Sequence, residues 1–455
     1  MMTGADLFVQ WRESGREVAV VGLGKSGVAA TLLLRRRDIP VYASDSGRGP
    51  VFDEWAARLR VAGAAVDLGG HDLDRIGRAE AVVVSPGVPP DVPALEAARR
   101  HGREIHAEVE IGFLALQGSR CVGITGTNGK TTTTSLIAHL LVAGGIRAEV
   151  AGNIGRPLSD VALSSDPPEW LALELSSFQL HDAPHLAPAA GVLTNLAPNH
   201  LDRYHSLEEY YGDKALLFRN AGPESLWISN ADDPAVRRMV AGVRGTHLRF
   251  SIHWRADGWY DRPAGHLMLG DAPLLPRAEL PLLGDHNVAN ALTAALVADQ
   301  LGCPRERIAD GLRSFRAIPH RVEPIREVDG VLWINDSKST NVTSTDVAIA
   351  AIDRPIVLLL GGRHKGEPYS RLADRMGTRC RAVVAYGEAG PIVRQDLEGR
   401  VPVVPAGDFD EVLSAARRLA HPGDAVLLSP ACSSYDMFRN YEERGARFRA
   451  AVEAM

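Results

Sequence analysis

Short apolar runs bounded by glycine or polar turns alternate along the chain with longer segments whose apolar residues recur every three or four positions. VAVVG (Val18–Gly22), AVVVS (Ala81–Ser85), CVGIT (Cys121–Thr125), WLALEL (Trp170–Leu175) and GVLTN (Gly191–Asn195) are predicted to be buried parallel strands. VLWIN (Val331–Asn335), IVLLLGG (Ile356–Gly362), AVVAYG (Ala382–Gly387) and AVLLSPA (Ala425–Ala431) repeat the pattern. This rhythm of βα units predicts an α/β protein with sites at the carboxyl ends of its strands. Around Thr246–Leu283 the pattern changes to short alternating segments with Gly and Pro, which predicts antiparallel strands closing a middle domain. Three domains are expected, over 1–107, 108–316 and 317–455, with breaks where one unit ends and a new glycine loop begins.

Length and composition agree: 455 residues at roughly 150 per domain is three domains, and 45% hydrophobic with 23% charged residues is ordinary for a globular chain. Fifty basic against 56 acidic residues give a net charge of −6, so no basic excess points to nucleic acid or an anionic membrane. Acidic, nucleotide-like substrates remain open to a few placed lysines and backbone amides. The four cysteines, Cys121, Cys303, Cys380 and Cys432, lie far apart, which argues against a zinc site or disulfide framework and fits a reducing cytoplasm. The opening MMTGADLFVQWRESGREVAV mixes acids and bases before any apolar run, unlike a secretory signal. The longest apolar runs, such as Ile356–Leu360, fall far short of the roughly 20 residues a membrane span needs. The expectation is a soluble cytoplasmic protein.

The densest chemistry is Thr125-Gly126-Thr127-Asn128-Gly129-Lys130-Thr131-Thr132, which follows a strand and opens a helix marked by Leu136, Ile137, Leu140 and Leu141. Glycines let successive N–H groups face an anion, and the helix N-terminus adds its positive dipole end. In such a phosphate loop Lys130 meets the β- and γ-phosphates and the Thr131 hydroxyl ligates Mg²⁺; Ile124 stands where the standard pattern has glycine. Glu174, ending an apolar strand, suits a second ligand for that ion, the alternative being a structural carboxylate paired with a nearby cation. Ser206 to Glu209 reads as a capping box opening a helix on which Leu207, Tyr211, Lys214 and Phe218 share one face. A lysine on an apolar stripe snorkels, pairs or is modified, and snorkelling is the default. Gly22-Leu23-Gly24-Lys25-Ser26-Gly27 matches GxGxxG, and Asp45 ends the next strand, placed for a ribose or base. The same match describes a tight strand–helix turn. A dehydrogenase would use this loop but leave Lys130 and Glu174 unexplained.

Taken in order, TGTNGKTT (Thr125–Thr132), GNIG (Gly152–Gly155), ELSSFQL (Glu174–Leu180), NHLDRY (Asn199–Tyr204), GDHNVANALTA (Gly284–Ala294) and PHRVE (Pro319–Glu323) resemble signatures of the Mur ligases, amide-forming enzymes of peptidoglycan precursor synthesis. NDSKSTN (Asn335–Asn341), LLLGGRHKG (Leu358–Gly366) and LSPACSSYDMFRNYEERG (Leu428–Gly445) resemble the glutamate-adding branch. Relatives adding alanine, diaminopimelate or lysine differ at Asp336-Ser337-Lys338.

The resemblance implies a Rossmann-like domain for a nucleotide sugar, a central P-loop ATPase-like domain and a C-terminal Rossmann-like domain for glutamate. It implies ATP-dependent joining of D-glutamate to UDP-N-acetylmuramoyl-L-alanine through an acyl phosphate, by a cytoplasmic monomer with no nucleic-acid or membrane partner. Lys25, Ser26, Asp45, Ser85, Gly87, Asn153, Ser176 and Gln179 become contacts of the UDP substrate. Gly126 to Thr132 hold ATP, Asn287 and Asn290 contact its adenine end, Arg321 a phosphate, and Asp336 is an acid of the same site. Two Mg²⁺ ions are implied, with ligands among Thr131, Glu174, His200 and a Lys214 carrying a CO₂-derived carbamate. Thr340, Lys365, Ser434, Tyr435 and Tyr441 fall where the family binds glutamate, with Lys338 close by. Asn199 stands where many members carry Asp, and Tyr441 where some carry Phe. Nothing in these residues alone fixes D- over L-glutamate.

Overall fold

Each apolar run named above is a strand in the computed structural model, which describes residues 4–199 and 203–455. Among the described residues the strands fall into three sheets. Strands β1 (Val18–Val21), β2 (Val41–Asp45), β3 (Ala65–Leu68), β4 (Ala81–Val84) and β5 (Glu104–Ala107) pair parallel in the order β3-β2-β1-β4-β5. Strand order reverses between β1 and β4, and in such sheets a ligand crevice opens at the carboxyl ends there. The Gly22 loop leaves β1 and Ser85-Pro86-Gly87 leaves β4, so both loops border that crevice. Gly27 is glycine for a packing reason: a Cβ would lie 1.8 Å from the Gly22 carbonyl oxygen.

The second sheet contains β6 (Arg120–Thr125), β7 (Ala148–Gly152), β8 (Trp170–Glu174), β9 (Ala190–Leu193), β10 (Leu226–Asn230), β11 (Thr246–Ser251), β12 (Gly258–Asp261), β13 (His266–Leu269) and β14 (Ala272–Pro276). Its order is β14-β13-β12-β11-β10-β9-β6-β8-β7. The change of pattern after Thr246 corresponds only partly to antiparallel pairing. β11 runs parallel to both β10 and β12, and the antiparallel ladders begin at β12–β13 and β13–β14. Strand β8 is buried at all five positions, so its alternating faces both meet protein. Register sets Ile124 beside Glu174, and Glu174 beside Gly152, which brings three strand ends and their loops to one place.

The third sheet contains β15 (Glu323–Val328), β16 (Val331–Asn335), β17 (Ile356–Gly361), β18 (Cys380–Tyr386), β19 (Val403–Ala406) and β20 (Ala425–Leu428), in the order β15-β16-β20-β17-β18-β19. Only β15–β16 is antiparallel. The chain divides into two compact units, one reaching to Glu279 and including Ala289–Arg313, the other made of Leu280–Val288 and Ser314–Met455. Among the described residues no helix is long and apolar enough to cross a membrane.

Within the first unit, Glu108 follows β5 and heads the helix Glu108–Ala115 with no solvent exposure. Its Oε1 accepts the Ser159 N–H at 2.6 Å. Burial outweighs that bond and raises the carboxyl from 4.5 to about 7. An acid with a raised folded-state pKa stabilises the fold fully below its unfolded value and loses that contribution as pH rises through the folded value. Glu108 should therefore cost on the order of 3 kcal/mol of stability between pH 4.5 and 7. Glu108→Gln should flatten the fall in Tm across this window in scanning calorimetry, and an unchanged slope would contradict the assignment.

Candidate active site

The crevice of the first sheet is a cavity of about 400 Å³ that gathers Lys25, Ser26, Asp45, Ser85, Gly87 and Asn153. The Ser85 hydroxyl donates to the Gly22 carbonyl at 2.7 Å, joining the two bordering loops. The Asp45 carboxylate accepts the N–H groups of Leu23 and Gly47, so it shapes the glycine loop from within. His71 also lines the cavity, with Nδ1 2.9 Å from Ser44 Oγ; no motif pointed to it. Asn153 reaches further. Its Nδ2 donates to Glu174 Oε1 at 2.8 Å and its N–H to the Glu174 carbonyl at 2.9 Å, linking the cavity wall to the end of β8.

Beside Glu174 the phosphate loop leaves β6 and turns at Gly129, in the left-handed region (φ 80°), into the helix Lys130–Ala143. Asn195 and Thr194 brace it from below: Asn195 Oδ1 accepts the Asn128 N–H at 2.9 Å, and Thr194 Oγ1 donates to the Asn128 carbonyl at 2.7 Å. Lys130 Nζ donates to the carbonyls of Gly126 (3.0 Å) and Thr127 (2.9 Å). Lys214 Nζ donates to the same Gly126 oxygen at 2.8 Å. Lys214 is only 2% exposed, so the expected snorkelling is overturned; its amine lies 4.6 Å from the centre of the Tyr210 ring. Tyr210, not Tyr211, is the buried tyrosine of this helix, which runs from Leu207 to Ala215 with Ser206 as its N-cap. The Glu209 carboxylate reaches back to the His205 N–H rather than that of Ser206. Burial drives the Lys214 pKa well below the ordinary lysine range and the charge of Lys130 adds to the drop, while Asp213 and Glu174 oppose it.

Glu174 is 3% exposed, and its Oε2 is buried without a hydrogen-bond partner. Such an oxygen, beside a threonine-bearing phosphate loop, fits a hard divalent cation. Among the described residues no cluster of three or more His, Cys, Asp or Glu is arranged to hold a metal. The expected ligand set has one such residue here, Glu174, because His200 lies outside the described residues and Thr131 and Lys214 are of other types. Ser176 caps the helix Ser177–His181 in a reciprocal capping box with Gln179, whose Nε2 is buried and unpartnered. Asn290 lies against the phosphate loop: its Oδ1 accepts the Thr133 hydroxyl at 3.1 Å, and a Cβ on Gly129 would come within 2.6 Å of it. Asn287, in the other unit, donates to the Leu283 carbonyl at 2.8 Å.

In the second unit Asp336 is buried, accepting Val322 N–H at 3.1 Å and Ser429 Oγ–H at 2.7 Å. Burial raises its pKa to about 6, against the pull of these bonds and the Arg321 charge. Lys338 Nζ donates to Tyr441 Oη at 3.0 Å, and Lys365 Nζ to Thr340 Oγ1 at 3.3 Å. Ser434 is buried, whereas Tyr435 is 64% exposed.

Three family models match in sequence: the Mur ligase MurD-like N-terminal domain over 16–107, the Mur ligase middle domain over 124–298, and the Mur ligase glutamate ligase domain over 320–432. A UDP-N-acetylmuramoylalanine–D-glutamate ligase of Acidobacterium capsulatum is 41% identical over 446 residues, covering 97% of this chain and 96% of its own. The protein of the same name from Rubrobacter xylanophilus is 42% identical over 441 residues, covering 95% and 97%. The chain belongs to the Mur ligase family. Among solved structures, the UDP-N-acetylmuramate–alanine ligase MurC of Thermotoga maritima aligns with a TM-score of 0.61 at 19% identity, covering 96% of this chain and 99% of that one. A MurF ligase from the same organism, solved with ADP, gives 0.61 at 18% identity, covering 91% and 95%. These two likenesses speak to the three-domain α/β fold.

In this Mur ligase some supporting residues carried no signal that sequence patterns expose. Asn195, Tyr210 and His71 act through partners distant in sequence. Arg444 lay inside a family signature without a role; it is fully buried, with Nε donating to Ser337 Oγ (3.0 Å) and Nη2 to the carbonyls of Ser337 (2.8 Å) and Cys432 (3.2 Å). It thereby fixes the segment carrying Asp336 and Lys338. Gly129→Ala would combine a left-handed backbone, costing about 1–2 kcal/mol, with a Cβ against Asn290. Its affinity for ATP in calorimetry should fall at least about tenfold with a lower Tm, and wild-type affinity would contradict the loop geometry.

Proposed function

We propose that this Mur ligase joins D-glutamate to UDP-N-acetylmuramoyl-L-alanine in the cytoplasm, as a monomer, with ATP supplying the driving force. A carboxylate is a poor electrophile, so its oxygen must become a leaving group before an amine can attack. An alanyl carboxylate oxygen attacks the γ-phosphorus of ATP and expels ADP, giving an acyl phosphate. The glutamate amine, deprotonated from its ammonium form, attacks the carbonyl carbon, and the tetrahedral adduct loses phosphate and the remaining extra proton as the amide forms. Negative charge accumulates in both steps, so positioning and electrostatic stabilisation are what the protein must provide.

The observation that carries this reading is the convergence of Lys130 and Lys214 on one carbonyl oxygen beside an unpartnered Glu174 oxygen. Two ammonium groups sharing one acceptor favour either a polyanion at the loop or loss of charge from one lysine. Lys130 would meet the ATP phosphates. Lys214, whose neutral form burial favours, would add CO₂ at its amine and release a proton, leaving a carbamate. Thr131, Glu174, His200 and that carbamate would hold Mg²⁺, whose chemistry is to neutralise phosphate charge. Lys25, Ser26, Asp45, Ser85, Gly87 and Asn153 would bind the UDP end of the substrate, with Ser176 and Gln179 further along it. In the second unit Lys365 with Thr340, Lys338 with Tyr441, Ser434 and Tyr435 would bind glutamate, two lysines answering its two carboxylates. Asn290 would complete the ATP site within the first unit, and Arg321, Asp336 and Asn287 would be ATP contacts offered by the second unit.

Phosphate release should require ATP, UDP-N-acetylmuramoyl-L-alanine, Mg²⁺, bicarbonate and D-glutamate together. Release with L-glutamate alone would move the enzyme to another stereochemical class, and release with neither isomer would refute the substrate assignment. Lys214→Ala should lower turnover at least about 100-fold. A ¹³C-bicarbonate NMR carbamate signal, present in wild type and missing in the variant, checks the modification directly.

A further inference from the structure

No motif singles out Asp213, which precedes Lys214 on the helix Leu207–Ala215. Its side chain is 17% exposed, and both carboxylate oxygens are engaged. Oδ1 lies 2.9 Å from His181 Nδ1, and Oδ2 accepts the Tyr204 hydroxyl at 2.9 Å. His181 ends the helix Ser177–His181, which starts three residues after Glu174. Tyr204 stacks on Phe178 of that same helix (5.3 Å, 15°) and tilts against Tyr210 (5.3 Å, 55°), whose hydroxyl lies 3.3 Å from Thr127 Oγ1 in the phosphate loop. One carboxylate therefore ties the element bearing Lys214 to the element that continues from Glu174.

A bare surface pair with His181, itself 61% exposed, would hold the helix only weakly. The bond to the stacked Tyr204 distinguishes Asp213 from such a pair, because it pins the carboxylate from a second direction. Glu174 is fixed by strand register, whereas Lys214 hangs from a four-carbon stem on a helix of nine residues. The placement of that helix sets where the stem can reach.

We propose that Asp213 is a positioning residue that sets the separation of Lys214 from Glu174, and with it the cation-binding geometry of this site. The inference rests on the metal-site reading above. Mn²⁺ binding is followed by electron paramagnetic resonance on the full chain with bicarbonate and a non-hydrolysable ATP analogue, so no turnover is involved. Asp213→Ala should weaken Mn²⁺ binding about tenfold or more, with affinity for UDP-N-acetylmuramoyl-L-alanine, measured by calorimetry, unchanged. Asp213→Asn, which keeps an acceptor for Tyr204 and a partner for His181, should stay within about threefold of wild type, and Tyr204→Phe should fall between. Wild-type Mn²⁺ affinity in Asp213→Ala would overturn the proposal, as would an equal loss of UDP-substrate affinity. Should Asp213→Ala fail to fold, Tyr204→Phe decides: unaltered Mn²⁺ binding in it overturns the proposal. Absence of Mn²⁺ binding in the wild type itself would instead bring down the metal-site reading, and the proposal with it.

Discussion

Two lysine side chains, from segments more than eighty residues apart, donate to the carbonyl oxygen of Gly126. Placing two ammonium groups on one acceptor, one of them almost wholly out of water, is costly unless an anion arrives or a proton leaves. Much of the surrounding structure keeps this arrangement in place. Strand register carries Gly126, Glu174 and Asn153 to a common end of the central sheet, Asn195 and Thr194 brace the loop, and Asp213 and Tyr210 hold the helix from which Lys214 projects.

Asn153 couples this charged centre to the crevice of the first sheet. It lines the cavity where strand order reverses in the first sheet and bonds Glu174 with its side chain and its backbone. A ligand seated in the crevice would thus lie against a residue that orients the Glu174 carboxylate, a short physical route from the crevice to the phosphate loop. The second unit solves a related problem differently. Asp336 is sealed within hydrogen bonds, and the buried Arg444 guanidinium clamps the neighbouring Ser337, so Lys338 and Tyr441 present a lysine–phenol pair on a fixed backbone.

Much of the fold was legible because βα units write themselves as runs: Val18–Val21 and Ile356–Gly361 are apolar at every position and buried on both faces. Strands β3, β7 and β19 were harder to read, since polar or half-exposed positions interrupt their apolar runs. Thr246–Ser251 misled because a half-exposed strand inside the sheet reads the same whether its two neighbours run parallel or antiparallel. At the site, the phosphate loop, Glu174 and the Gly22 loop were readable because their chemistry depends on local spacing. Lys214 was visible as an oddity, and its burial was not: helical spacing says which face a residue shares, and only packing says how deeply that face lies.

By itself the sequence determined the βα order, the phosphate loop and the family, since each is encoded by residues near one another or in a fixed succession of motifs. Tertiary structure decided that Lys130 and Lys214 share one acceptor, that Asn153 joins two sites, that Glu174 keeps an unpartnered oxygen, and that Asp213 is held from two sides. These are contacts between segments tens of residues apart. Their distances follow from strand register and helix packing, which no local pattern of residues specifies.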